Sequence, residues 1–125
     1  FVELQGGGTH EIGDVRIEAF PVPHQENGLS LGHRLRAPDK TLVYSGDTAW
    51  TPDLLRESSG ADLFLCECST FATQIPRHVR YRDIEENRKR LECGHLLLTH
   101  LGREIRSHCA EIEDQLATDG LRVRL

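Results

Sequence analysis

No stretch of this 125-residue chain is long and apolar enough to cross a bilayer as a helix. Its opening, FVELQGGG, has neither the basic segment nor the apolar core of a secretory signal. Methionine is missing altogether, so a fragment or a processed chain is expected. Positive charge is short: 15 Lys and Arg stand against 20 Asp and Glu. The resulting formal net charge of −5 excludes wholesale coating of nucleic acid. A phosphate-bearing substrate stays open, because a bound cation would bring its own positive charge. The run Gly6-Gly7-Gly8 lacks the Lys-Ser/Thr ending and the following helix of a phosphate loop, and reads as a flexible turn. Cys66, Cys68, Cys93 and Cys109 form no CxxC pair and have no zinc spacing. They read as buried free thiols of a reducing cytoplasm.

What is present is globular in balance, 38% hydrophobic and 28% charged, and of a length for one domain or part of one. Val15, Ile17 and Ala19 alternate with Arg16 and Glu18, predicting a half-buried strand over 14–20. A second strand is predicted over 29–35, and Asp39-Lys40 turns it into a third, TLVYS (41–45). With DLFLCEC (62–68) and HLLLT (95–99), TLVYS is apolar nearly throughout, as strands buried on both faces are. Helices separate them. One is capped by Thr51 with Pro52 at its first position and ends at Gly60. Another is capped by Asp83. A last helix carries the stripe Ile105, Cys109, Ile112 and Leu116 and stops at Gly120, with LRVRL as a final strand. The expected architecture is α/β, a mixed sheet with helices on one face and its other face uncovered.

Functional groups in such sheets gather where strands end. His24, Asp47 and His100 each follow a predicted strand, and His78 lies in the long loop after 62–68. Asp47 stands in LVYSGDTAW, where an apolar run stops at Ser45-Gly46. Taken singly, it reads as a turn residue and each histidine as a satisfied surface group. Together, imidazole nitrogen and carboxylate oxygen also form a donor set suited to zinc, manganese or iron.

VPHQENGLSLGHRL (22–35), LVYSGDTAW (42–50), LCECSTF (65–71), PRHVRYRDI (76–84) and HLLLTHLG (95–102) resemble the C-terminal half of a metallo-beta-lactamase-fold hydrolase. The resemblance is to the ribonuclease Z and phosphodiesterase-like branch, with SGDT and LLLTHLG the most specific segments. It implies half of a four-layered αββα fold over residues 1–125. It implies His24 as a ligand of one metal, Asp47 as the bridge between two, and His100 as a ligand of the other. His78 matches a histidine acting near the scissile phosphate, and Glu67 an acid that orients it. Cys66 stands where this branch often has histidine. The family's His-x-His-x-Asp-His motif is absent and would precede Phe1. The resemblance therefore implies dinuclear zinc (manganese or iron in its place) and hydrolysis of a phosphodiester, RNA or nucleotide, in the complete protein. The competing expectation is an inactive half-domain that forms a homodimer through its exposed sheet face.

Other residues carry plainer expectations. His33 is read as a core or interface histidine, His10 and His108 as exposed, and His95 as the start of a strand. Trp50 is expected to pack. Arg77, Arg80 and Arg82 flank His78 and are read as a solvated loop, or as a patch that contacts phosphate.

Overall fold

The computed structural model describes residues 3, 7–26 and 28–125. One mixed sheet of seven strands runs through them, the strands side by side in chain order. β1 (Thr9–Ile12), β2 (Val15–Val22), β3 (Ser30–Arg36) and β4 (Thr41–Tyr44) form an antiparallel meander. Gly13, at φ 59, turns β1 into β2 through a left-handed conformation open to glycine without steric cost. β5 (Leu63–Glu67), β6 (Leu96–Thr99) and β7 (Gln115–Leu116) follow parallel to β4. Parallel neighbours need crossover connections. These are α1 (Pro52–Ser58), then α2 (Tyr81–Asn87) with a 3-10 turn Arg88–Arg90, then α3 (Arg103–Ser107) with a 3-10 turn Cys109–Glu111. Among the described residues no helix is long and apolar enough to cross a membrane.

Register divides the side chains between two faces. Val43, Phe64, Cys66 and Leu98 share one face and are fully buried. They form one core with Leu54 of α1, Ile84 of α2 and Ile105 of α3, so all three helices pack on that face, as expected. On the opposite face Ile17, Leu35 and Leu42 line up across β2, β3 and β4, with His33, Tyr44 and Leu65 in the next row. These six are only half-buried. Full burial of one large apolar side chain contributes roughly 1.5–3 kcal/mol, so this face forgoes part of that sum. In the same rows Ala19, Leu63 and Leu97 are buried, so the apolar reading of β4–β6 as strands to be covered twice is met fully on one side and in part on the other by the described residues. Desolvation of His33 on this face lowers its pKa.

Several expectations are corrected. β1 was not foreseen, because Thr9-His10-Glu11-Ile12 carries little apolar signal for an edge strand. Asp83 is not the cap of α2. The cap is Arg80 and the helix starts three residues earlier, because Tyr81 is drawn fully into the core and the Asp83 carboxylate accepts the Arg80 N–H at 3.0 Å. The long last helix is absent. α3 ends at Ser107, and β7 fills the open edge of β6. The segment is held extended from α2: Arg88 donates to Asp114 at 2.8 Å, and the Glu113 N–H donates to the Tyr81 hydroxyl at 3.0 Å. Ile112 and Leu116 still pack on the core, so the apolar stripe was sound and its helical period was not. Residues 121–125 form no strand. Gly7 lies in a turn at φ 77, and Gly6 lies outside the described residues.

All four cysteines are free. Cys66 and Cys68 are buried, Cys93 is half-buried, and Cys109 is exposed, against the expectation of four buried thiols. Burial pushes the Cys66 and Cys68 thiols well up, with the Cys68 and Glu67 charges adding to it. Thiolate is the reactive form. Iodoacetamide at pH 8 should therefore label Cys109 first and reach Cys66 and Cys68 only after denaturant is added, as read by peptide mass spectrometry. Labelling of Cys66 in the native protein would contradict this core.

Candidate active site

β2 runs parallel to β4, β5 and β6, because two antiparallel steps separate it from β4. The carboxyl ends of all four strands therefore open on one edge of the sheet. His24, Asp47, Glu67 and His100 arise there, and His78 comes in from the loop after β5.

The centre of this edge is the Glu67 carboxylate, fully buried at the end of β5. Its Oε1 accepts the Thr48 N–H at 2.7 Å, and its Oε2 accepts the Ser69 hydroxyl at 3.0 Å. Oε1 also accepts from His78 Nδ1 at 2.9 Å. The Ser69 hydroxyl hydrogen is directed at Glu67, so the Ser69 oxygen is a second, longer acceptor for His78 Nδ1 at 3.2 Å. The pair of acceptors puts the proton on Nδ1 and leaves Nε2 as the outward nitrogen of the His78 ring.

The turn after β4 is fitted to this carboxylate. The Ser45 hydroxyl accepts the Glu67 N–H at 2.9 Å and donates to the Gly46 carbonyl at 2.7 Å. Gly46 is left-handed at φ 62, and a Cβ there would sit 2.4 Å from the Leu31 carbonyl oxygen. Only glycine fits, and the chain then delivers Asp47 outward and the Thr48 N–H inward. The Ala49 N–H donates to the Pro23 carbonyl at 2.9 Å, tying this loop to the segment carrying His24.

His24 Nδ1 donates to the Arg77 carbonyl at 3.2 Å, which leaves its Nε2 lone pair free. Arg77, at φ 65, and His100, at φ 55, both hold left-handed backbone, uncommon for residues with a Cβ. Gly102, two residues on, has no room for a side chain: a Cβ would lie 2.2 Å from the Ser69 carbonyl oxygen. The His78 ring stands between the other two, 5.0 Å from His24 edge to face and 5.4 Å from His100 face to face. His100 Nδ1 lies 3.6 Å from Asp47 Oδ1, close but beyond hydrogen-bond length.

The five candidate residues thus converge on one edge. Ser45, Thr48 and Ser69 also hold the site together, and nothing in their spacing marked them beforehand. The donor chemistry of His24, Asp47 and His100 fits a transition-metal cation in kind. Among the described residues no three His, Cys, Asp or Glu converge closely enough to hold one cation, so the set fits in chemistry and falls short in number.

The flanking arginines are committed elsewhere. Arg77 pairs with Glu26, Arg80 with Asp83 at 2.6 Å, and Arg82 with Glu85 at 2.8 Å while lying over the Phe71 ring. Trp50 packs partly buried against the core. His10 and His108 are half-buried and not exposed, the latter because its ring stacks on Phe71 at 4.4 Å. His95 precedes β6 and is half-buried.

Residues 1–101 match the family model of the beta-lactamase superfamily domain. The chain belongs to this superfamily. It is 38% identical over 76 residues to the uncharacterized protein ML1173 of Mycobacterium leprae (strain TN), covering 58% of this chain and 27% of that protein. Its fold matches the metallo-beta-lactamase fold protein YhfI of Bacillus subtilis at TM-score 0.79 and 22% identity, over 96% of this chain and 54% of YhfI. Zn(2+)-bound PqqB of Methylobacterium extorquens matches at TM-score 0.77 and 18% identity, over 98% of this chain and 55% of PqqB. The short form of human tRNase Z matches at TM-score 0.67 and 19% identity, over 90% of this chain and 44% of tRNase Z. The chain thus spans about a quarter of its curated relative and about half of these structures. The fold is that of the metallo-beta-lactamases, with the ribonuclease Z branch among its likenesses, and it is a hydrolase fold whose members include a zinc-bound protein.

Glu67→Ala should destabilise the fold by about 1–3 kcal/mol, since it strips the buried Thr48 N–H of its acceptor and frees the Ser69 hydroxyl. The urea midpoint measures this. An unchanged midpoint would mean that the carboxylate does not organise the edge.

Proposed function

We propose that this chain is the C-terminal half of a dinuclear-metal hydrolase that cleaves phosphodiesters. The observation that carries the reading is the buried Glu67–His78 pair, set between His24 and His100 at one strand-end edge. The likeness in fold to tRNase Z supports a phosphodiester over the other esters the fold can serve.

His24 and His100 would each bind one cation through nitrogen and Asp47 would bridge them, zinc being the first choice and manganese or iron fitting the same donors. The remaining ligands would come from a segment outside this sequence. Bound cations would supply a nucleophilic water at neutral pH and polarise the phosphoryl oxygen. The chain's own part is the proton. His78, held by Glu67 and Ser69 at Nδ1, directs Nε2 outward and, when protonated there, donates to the leaving oxygen as the P–O bond breaks.

The test uses the full-length protein with bis(p-nitrophenyl) phosphate. Asp47→Ala should lose both bound metal and turnover. His78→Ala should lower kcat by about 10²–10⁴-fold with metal content unchanged. Full activity in Asp47→Ala would sink the site assignment.

The half-exposed sheet face favours a second reading for the chain taken alone. With Ile17, Leu35, Leu42, Tyr44 and Leu65 half-exposed, we propose that the isolated chain self-associates through this face without activity. Sedimentation should show species heavier than the 14.1 kDa monomer, and Leu42→Glu should restore the monomer. A monomeric wild type would end this reading.

A further inference from the structure

An open groove of about 760 Å³ is lined by His78, by the loop after β5 and by α3, and by neither His24 nor His100. Sites of 300–1,000 Å³ commonly hold a whole small molecule, so this one exceeds a lone phosphate. His78 lines the groove and also touches His24 and His100, so one ring is shared by both compartments. A general acid must lie within hydrogen-bond reach of the leaving oxygen. What is attached to that oxygen can then occupy the groove that His78 lines and the other two histidines do not.

The groove walls are already satisfied. Glu104 accepts from the Ala72 and Thr73 N–H groups at 3.3 Å and from the Thr73 hydroxyl at 3.1 Å, which fastens the loop to α3. Desolvation pushes the Glu104 carboxyl up, but these donors outweigh it and hold it below the usual carboxylate range. It therefore stays an anion at neutral pH and is fully engaged. The Thr70 hydroxyl donates to the Thr73 carbonyl at 2.6 Å. Ile75, 41% exposed, offers an apolar rim.

Arg103 differs from every other wall residue. It is exposed on the groove and makes no ion pair or hydrogen bond among the described residues. Its neighbour Arg106 is spent on the Leu101 carbonyl at 2.8 Å, and Arg77, Arg80 and Arg82 are all paired with acids. The three arginines read as a solvated loop, or as a patch that contacts phosphate, are thus occupied, and the unengaged guanidinium of this groove is one that proximity to His78 passed over.

We propose that the groove is the leaving-group subsite and that Arg103 selects leaving groups that carry a negative charge of their own, as a nucleotide does. A guanidinium can take such a group through two parallel N–H donors. The inference rests on His78 being the proton donor of the reading above.

Two chromogenic diesters test it in the full-length protein: methyl 4-nitrophenyl phosphate, and methyl 3-carboxy-4-nitrophenyl phosphate, whose leaving phenol bears a carboxylate. Arg103→Ala should lower kcat/KM for the carboxylate diester by about 10- to 100-fold, the range of one charged hydrogen bond, and leave the neutral diester within about twofold. Arg103→Lys should recover part of the loss. Binding of 5-hydroxy-2-nitrobenzoate, followed by NMR, should weaken in the same order. Equal losses on both diesters, or unchanged kinetics in Arg103→Ala, would overturn the subsite. If the wild type cleaved neither diester yet bound the benzoate through Arg103, the hydrolase reading would fall and an anion groove would stand.

Discussion

The strand-end edge depends on one buried carboxylate. Glu67 sits at zero exposure in a parallel strand, and a charge there is tolerable only if its oxygens are filled. They are filled by a backbone N–H from the β4 turn, a hydroxyl from its own strand's extension, and a histidine from the following loop. The β4 turn, the extension of β5 and the loop that follows are therefore locked to one side chain. Because each bond is charge-assisted and shielded from water, the lock is stiffer than any of its members alone. Asp47 and His78 inherit their positions from it. Asp47 follows from the Gly46 turn that feeds the Thr48 N–H inward, and His78 from its Nδ1 bond.

His100 is placed by a different device. Among the described residues it has no partner of comparable strength; its backbone is left-handed, and Gly102 is pressed against the Ser69 carbonyl. Backbone strain at such a position persists only where the surroundings over-determine it. Here the same Ser69 that bonds Glu67 supplies the close-packed carbonyl. The two sides of the edge are thus coupled through a serine that periodicity and motif alike leave unmarked.

This explains what was legible in the sequence. Strands β2 to β6 and the residues at their ends could be read because apolar runs stop abruptly at chemically distinctive groups. β4 and β5 became recognisable as buried strands from Leu42-Val43-Tyr44 and Leu63 to Cys66. The capping of α2 and the fate of 103–120 could not be read, because they are decided by Asp83 reaching back to Arg80, by Arg88 on Asp114, and by the open edge of β6. A stripe at spacings of three and four satisfies a helix, but it also satisfies a short helix, a turn and a strand that bury the same side chains. Cys109 shows the difference, since a continuous helix would have buried it and the observed turn exposes it. The two readings of Arg77, Arg80 and Arg82 stayed open for a similar reason: closeness in sequence to His78 says nothing about which of them an acid has already taken.

The half-exposed face and the incomplete donor set have one physical origin under the proposed reading. The strands that deliver His24 and Asp47 also carry half-exposed side chains on their second face, Ile17 on β2 and Leu42 and Tyr44 on β4. A partner sheet laid on Ile17, Leu35, Leu42 and Leu65 would end its own strands near the same edge, bringing further donors to the point where these now fall short. Burial of that face and closure of a metal site would then be linked: each cation bound only by the assembled pair adds its binding free energy to the association of the two layers. Metal affinity would accordingly report on the covering of Leu42 and Tyr44, side chains that contact no ligand. Conversely, a charge placed at Leu42 in the full-length protein would weaken metal binding from within the sheet, through loss of packing and with every donor atom intact.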